Sequence, residues 1–203
     1  MISKRSLLRR SAAATVAVSA ALVLAACGNG NDASAGPTAA SPSASAPASQ
    51  GQHNAADVAF AKGMIPHHRQ GIEMAGLAPS RAQSAEVKKL AEDTKRAQDS
   101  QIKTLSGMLT SWGEQVPAEG SHSAHGMAGM MSPQEMENLK NSSGATFDTA
   151  FMKLMIKHHE GAVEMAKTEK AQGVFPDAKI MADAIVTSHS AEIEQMNKLL
   201  GRS

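Results

Sequence analysis

The sequence predicts an all-α protein, an antiparallel four-helix bundle built from two repeated helical hairpins. Three observations lead to this fold class. Aromatic residues make up only 2% of the chain, which argues against the aromatic and β-branched runs of a sheet protein. A segment recurs at a fixed offset of 91 residues, and each copy contains two helical stretches separated by a break. Two hairpins with one apolar stripe each bury those stripes best against one another.

The first 26 residues predict an export signal that is separate from the fold. Four basic residues between Lys4 and Arg10 precede an apolar stretch that is shorter than the roughly 20 residues of a transmembrane helix. The stretch ends in Leu24-Ala25-Ala26-Cys27, which resembles a bacterial lipobox. We therefore expect a lipid on Cys27 that anchors the protein to the outer face of the cell membrane. Arg9-Arg10 leaves both the Sec and the twin-arginine export routes open.

A tether and one helical domain are expected after the signal. Residues 27–52 consist largely of Ala, Ser, Gly and Pro with almost no charge, a composition that cannot bury a core. Residues 53–203 have the length of a single domain and contain the repeat units 57–109 and 148–200, with a His- and Met-rich loop at 117–132. Cys27 is the only cysteine of the chain, so an internal disulfide is excluded.

Each repeat unit predicts two helices. In the first unit they cover about 55–77 and 82–112, with a break at Pro79-Ser80. Residues 173–176 form the equivalent break in the second unit. The segment Ser132-Pro133-Gln134-Glu135 has the N-cap, the N1 proline and the N3 glutamate of a capping box, which predicts a further short helix between the units.

The first helix of each unit carries two adjacent histidines. Residues 57–75 read DVAFAKGMIPHHRQGIEMA and residues 148–166 read DTAFMKLMIKHHEGAVEMA. At 100° per residue, the His pair shares one helix face with Met and with small residues. In the second helices, His189 lies on an apolar stripe where the first unit has Gln98. The candidate metal ligands of the repeats are His67, His68, His158, His159, His189, Met64, Met74, Met155 and Met165.

The chemistry of these side chains favours copper, although a structural role stays open. Imidazole and thioether together suit copper, especially Cu(I), better than Mg, Ca or Mn. In the alternative interpretation Met fills the core, and the histidines are satisfied by Glu73, Glu164, Gln98 or water.

The loop between the repeats is a second candidate site. Its ten-residue stretch His122-Ser-Ala-His125-Gly-Met127-Ala-Gly-Met130-Met131 contains two His and three Met with small spacers. Clusters of this kind resemble exported copper or silver binders. A flexible loop of chance composition is the alternative.

Enzymatic activity and nucleic-acid binding are not expected. A di-iron bundle needs Glu-x-x-His on its helices, but the spacing occurs only at Glu119 and His122, in the loop. His159-Glu160 begins like the zinc motif HExxH, but the second histidine is missing. Cys27 is predicted to carry the lipid and is therefore not a catalytic nucleophile. Without the four basic residues of the signal, 16 basic residues remain against 19 acidic ones, with no basic patch for nucleic acid.

The segments MIPHHRQGIEMA, SGATFDTAFMKLMIKHHEGAVEMA and HSAEIEQMNKLL closely resemble the domain of unknown function 305 family, over about 55–200. The resemblance implies a ferritin-like helical bundle and no catalytic residues. Several members look like exported proteins of copper binding or copper tolerance. We therefore expect a surface-tethered protein that binds copper, most of all Cu(I), in buffering or tolerance. The alternative is a non-catalytic envelope interaction or stress module whose His-His faces are structural.

Replacement of Cys27 by Ala tests the lipoprotein prediction. Because the lipid is expected on this residue, Cys27→Ala should release the protein from membranes or leave it unprocessed. Membrane fractionation with sizing of the product is the measurement. A variant that stays with membranes at the normal mature size would show that Cys27 carries no anchor.

Overall fold

The structure, a computed structural model, describes residues 51–120 and 127–202. The predicted signal, most of the tether and Cys27 lie outside these residues. Within the described chain there are five helices and no β-strand, and the all-α bundle prediction is confirmed. The helices are α1 (Ala55–Arg81), α2 (Ala85–Ser111), α3 (Pro133–Asn141), α4 (Gly144–Gln172) and α5 (Pro176–Leu199). The α1–α2 and α4–α5 pairs are the two hairpins, and α1 packs against α4.

Side-chain caps fix the starts of the helices of the first hairpin and of α3. The Asn54 side chain accepts hydrogen bonds from the first turn of α1, while Asp57 accepts one from the Asn54 N–H at 2.6 Å. Ser84 caps α2 through the Val87 N–H. The capping box predicted at Ser132 is present at α3, with Glu135 accepting the Ser132 N–H at 2.7 Å.

Helix α1 is about one turn longer than predicted. The prediction ended it before Pro79, but the helix continues through this residue to Arg81. Proline lacks an N–H and so removes one helical hydrogen bond, which costs little so close to the helix end. Ala78 is fully buried, and its carbonyl accepts the Ala82 N–H at 2.9 Å, so packing and hydrogen bonding carry the helix past the proline.

Two aspartates at equivalent repeat positions join the hairpins to each other. Asp57 accepts the backbone N–H groups of Val174 and Phe175, at the start of α5, at 3.1 and 2.9 Å. Its counterpart Asp148 accepts those of Gln83 and Ser84, at the start of α2, at 3.1 and 2.8 Å. Each repeat thus places a carboxylate on the helix N-terminus of the other repeat, where its negative charge is favourable.

The core consists of two apolar clusters with a polar layer between them. The first cluster includes Met74, Leu90, Phe147, Phe151 and Met196, and the second includes Phe60, Met64, Leu109, Ala166 and Ile185. Along each of the four long helices, buried polar side chains separate residues of one cluster from residues of the other. We call this the central polar layer. It consists of the buried residues His67, His68, Thr94, Gln98, His158, His159 and His189.

Asp57 has a buried acidic neighbour, Glu169. The repeat counterpart of Glu169 is Ala78, so the other half lacks this acidic pair. Burial and the hydrogen bond and charge of Asp57 raise the pKa of Glu169 to about 8. Burial raises the pKa of Asp57, but hydrogen bonds to its carboxylate lower it by more, so that the pKa is below the ordinary value. The donors are the backbone N–H groups of Asn54, Val174 and Phe175 and the side chain of Glu169. Glu169 is therefore the protonated member of the pair at neutral pH.

None of the helices in the described ranges has both the length and the apolar character that crossing a membrane requires.

Replacement of Glu169 by Gln should change how stability depends on pH. The raised pKa means that the folded chain holds this proton up to about pH 8, whereas the unfolded chain loses it near 4.5. The stabilisation is therefore complete below about pH 4.5 and is lost as the pH rises to about 8. Relative to the wild type, Glu169→Gln should gain free energy of unfolding between these values. Urea denaturation at several pH values is the measurement.

The exposed residue Glu194 provides the control, because Glu194→Gln should leave the pH profile unchanged. Parallel profiles of the wild type and Glu169→Gln would contradict the assignment of a buried proton to Glu169.

Candidate metal site

The five histidines of the central polar layer lie together in the core. Each is at most 2% exposed, although they come from α1, α4 and α5. The ring centroids of His67 and His158 are 3.8 Å apart, and those of His159 and His189 are 4.0 Å apart. The predicted convergence of the two His pairs and His189 is therefore present in the structure.

A glycine makes room for this packing. A Cβ atom on Gly71 would overlap the side-chain amide of Gln98 and would lie 2.9 Å from Cε1 of His158. The absence of a side chain at this position of α1 thus lets Gln98 and His158 approach the helix backbone. Gly71, a small residue on the predicted His face, therefore allows close packing at the layer, as expected from the sequence.

Both histidines of α4 have a ring nitrogen fixed by a hydrogen bond. His158 Nε2 donates to the carbonyl oxygen of His67 at 2.9 Å, so its Nδ1 carries the lone pair. His159 Nε2 lies 2.6 Å from Oε2 of Glu192, and Thr94 Oγ1 donates to the same oxygen at 3.1 Å. Glu192 and Thr94 therefore hold the His159 ring in place.

Several buried polar atoms of the layer have no hydrogen-bond partner among the described residues. They include Nδ1 of His158, Nδ1 of His159, Nε2 of His189 and both amide atoms of Gln98. A buried polar group without a partner typically costs about 1–3 kcal/mol, so such atoms are few in native proteins. Their concentration in one layer makes this layer the candidate site.

Burial keeps four of the five imidazoles of the layer neutral. Burial, followed by the neighbouring histidines, lowers the pKa of His67 and of His68 to about 3. The same causes hold the pKa of His158 and of His189 well below the ordinary value. Neutral imidazole has a free lone pair, and this is the form that binds metal ions.

The four candidate methionines of the repeats are divided between the two apolar clusters. Met74 and Met155 belong to the first apolar cluster and Met64 to the second, with Met165 packed against the edge of the second. Their participation with the histidines in one metal centre stays a prediction.

The loop contributes a different group of sulfurs. His122 and His125 lie outside the described residues, while Met127 and Met130 are half-buried. Met127 Sδ and Met165 Sδ both pack beside Gly63, at 3.5 and 3.7 Å from where its Cβ would be. One loop methionine and one repeat methionine therefore share a pocket next to α1.

Met131 is a core residue. It is 3% exposed within the first apolar cluster, and its backbone exchanges two hydrogen bonds with the Gln70 side chain, at 2.7 and 2.9 Å. Next to it, Ala128 and Gly129 lie against α4 so closely that a Cβ on Gly161 would overlap their backbone. The end of the loop is thus fixed across α1 and α4.

Glu192 was not among the residues predicted from the sequence. Glu73 and Glu164 were the predicted acidic partners of the histidines, but Glu73 instead pairs with Lys140 at 2.8 Å. Glu192 follows His189 by three residues on α5, a spacing that places both side chains on one helix face. The signal was therefore a His-x-x-Glu spacing, whereas only Glu-x-x-His was sought.

These features define a class of protein: a four-helix bundle of two repeats with a buried histidine layer at mid-height. Residues 57–200 match the family described as domain of unknown function (DUF305). The chain belongs to the DUF305 family.

Solved structures give the same assignment. A DUF305 protein from Streptomyces coelicolor is 32% identical, with a TM-score of 0.66 over 72% of this chain and 91% of that one. CopM in its Cu(II)-bound form is 36% identical, with a TM-score of 0.63 over 70% and 94% of the two chains. CopM in its Cu(I)-bound form is 34% identical, with a TM-score of 0.60 and the same coverage. A search of curated proteins finds no significant match.

Replacement of Gly161 by Ala tests how the loop is held. The added methyl group should push Ala128 and Gly129 off α4, because it would overlap their backbone. The hydrogen bond from the Met131 N–H to Gln70 should open with them, and hydrogen exchange of this amide should accelerate about tenfold or more, which corresponds to about 1.4 kcal/mol.

Gly76 is a matched control on α1, since nothing lies within 4 Å of the position of its Cβ. Gly76→Ala should leave the exchange of the Met131 amide unchanged. Equal protection of this amide in Gly161→Ala and the wild type would show that the contact does not hold the loop.

Proposed function

We propose that this chain is an exported metal-binding protein that takes up copper, most of all Cu(I), in buffering or tolerance. One observation carries the proposal: a layer of five buried histidines, each with at least one ring nitrogen that lacks a hydrogen-bond partner among the described residues. Unpaired imidazole lone pairs in the core lower the stability of the fold when nothing is bound to them. The same lone pairs are good ligands for a borderline or soft metal ion.

The donors of the chain fit copper. The layer offers imidazole nitrogens from α1, α4 and α5, and the Met127–Met165 pair beside Gly63 offers two thioether sulfurs. Copper accepts both donor types, and thioether favours Cu(I) over Zn(II). CopM, which shares the family fold, is known in Cu(I)-bound, Cu(II)-bound and silver-bound forms, and this supports the choice of metal.

The proposed role is binding without catalysis. The imidazoles and thioethers would hold the ion, and the apolar clusters on both sides of the layer would keep water from it. A bound copper ion would bring its own redox chemistry, which a burying site restrains. Export and anchoring through Cys27 are part of the same proposal and rest on the N-terminal sequence.

Copper stoichiometry tests the proposal. Three proteins are compared in competition with a chromogenic Cu(I) chelator. The first is the wild type. The second is a layer variant with Gln in place of four histidines, and the third is a loop variant with Ser in place of four loop residues. The layer positions are His67, His68, His158 and His159; the loop positions are His122, His125, Met127 and Met130.

The wild type should bind Cu(I), and each variant should lose part of this binding. Met131 is left in place because it fills the core, and circular dichroism shows whether the layer variant still folds. His53 lies outside both groups, so His53→Gln is the control and should bind as the wild type does. Negligible stoichiometry in all of these proteins would end the copper proposal and favour the interaction or stress module.

A further inference from the structure

The internal repeat allows the two halves of the central polar layer to be compared position by position. The offset of 91 residues pairs His68 with His159, Gln98 with His189 and Gln101 with Glu192. Equivalent positions of one scaffold thus carry His, Gln and Gln in one half and His, His and Glu in the other. We call the second group, His159, His189 and Glu192, the His-His-Glu triad.

The triad has the compactness of a metal site. One ligand atom from each of its three residues lies within 4.8 Å of the others. The His159 and His189 rings are stacked, with an interplanar angle of 20°, and come from different helices. Glu192 reaches the same point from α5, 2.6 Å from His159 Nε2.

A lone pair of His189 is available in this cluster. Ser188 Oγ donates to the Ile185 carbonyl and lies 3.4 Å from His189 Nδ1, so this nitrogen donates its hydrogen to the hydroxyl oxygen. The lone pair is then on Nε2, which is buried and has no hydrogen-bond partner in the described part of the chain. The triad therefore combines a free imidazole lone pair with a carboxylate, whereas the unpaired atoms at Gln98 and Gln101 belong to carboxamides.

The surroundings of Glu192 also differ between the halves. Thr94 Oγ1 donates to the Glu192 carboxylate at 3.1 Å, and the repeat counterpart of Thr94 is the apolar Ile185. Outer hydrogen bonds of this type orient the ligands of metal sites. The Glu192 side chain is 21% exposed, so the triad has a route to solvent although both rings are buried.

We propose that His159, His189 and Glu192 bind a divalent borderline cation, with Cu(II) preferred, and that their repeat counterparts His68, Gln98 and Gln101 do not form a second site for this cation. Two imidazoles and a carboxylate supply nitrogen, oxygen and negative charge, which suit Cu(II) better than Cu(I). Carboxamides in place of imidazole and carboxylate are weaker ligands and carry no charge. The inference rests on the proposed copper binding and assigns an oxidation state to one site.

The experiment is a titration of the full chain with Cu(II) alone, followed by electron paramagnetic resonance. His122→Ser and His125→Ser form the background throughout, so that loop histidines do not contribute. The background protein should bind Cu(II) with hyperfine coupling to two imidazole nitrogens. The double variant His189→Gln, Glu192→Gln should lose this signal and one equivalent of Cu(II).

This double variant is chosen because the other half of the layer already contains the same side chains at the same scaffold positions. Circular dichroism should therefore show an intact fold. The control is His53→Gln, which lies outside the central polar layer and should keep both the signal and the stoichiometry. Glu192→Gln alone should weaken Cu(II) binding and shift the spectrum, because an oxygen ligand with charge is removed.

The converse variant, Gln98→His with Gln101→Glu, should add a second equivalent of Cu(II) with a similar spectrum. The assignment would be overturned by an unchanged signal in the His189→Gln, Glu192→Gln variant, or by an equal loss in His53→Gln. A Glu192→Gln spectrum identical to that of the background would remove Glu192 from the site.

Competition for Cu(I), measured in parallel, separates this inference from the proposed function. Cu(I) binding with no Cu(II) at the triad contradicts the inference alone, whereas a chain that binds neither ion contradicts both.

Discussion

The burial of a full layer of imidazoles is the constraint on which the rest of the structure depends. Five histidines occupy the middle of the bundle, where apolar side chains would ordinarily provide the most stabilisation. The apolar burial is therefore divided between two clusters, one on each side of the layer. Four helices of 24 to 29 residues are long enough to contain both clusters and the layer between them.

The connection between the hairpins follows from the same constraint. A core divided by a polar layer offers less apolar area to join two halves, and the aspartates at positions 57 and 148 supplement it. Each carries its charge to the start of a helix in the other repeat and accepts two backbone hydrogen bonds there. The protonated Glu169 next to Asp57 is an addition to one half only, so the two ends of the bundle respond differently to pH.

The sequence predicted most of the fold because the repeat is a strong signal. The hairpins, the capping box at Ser132 and the shared histidine face all follow from periodicity and local chemistry. The end of α1 was misplaced, because burial of Ala78 outweighs the break expected at Pro79. The partition of the methionines and the contact of Glu192 with His159 depend on how helices pack. Spacing within one helix does not determine such contacts between helices.

The two halves of the layer separate what the fold requires from what a ligand requires. Gln98 and Gln101 occupy the positions of His189 and Glu192, and the bundle accommodates both sets of side chains. The imidazole and the carboxylate are therefore not needed for the architecture. Buried polar atoms without a hydrogen-bond partner occur in both halves, at the Gln98 amide and at Nε2 of His189. Only the second half places a carboxylate beside its imidazoles, with Glu192 2.6 Å from His159 Nε2. Two imidazoles and a carboxylate offer a cation lone pairs and negative charge that carboxamides lack, and this is the physical reason to expect the metal in the second half.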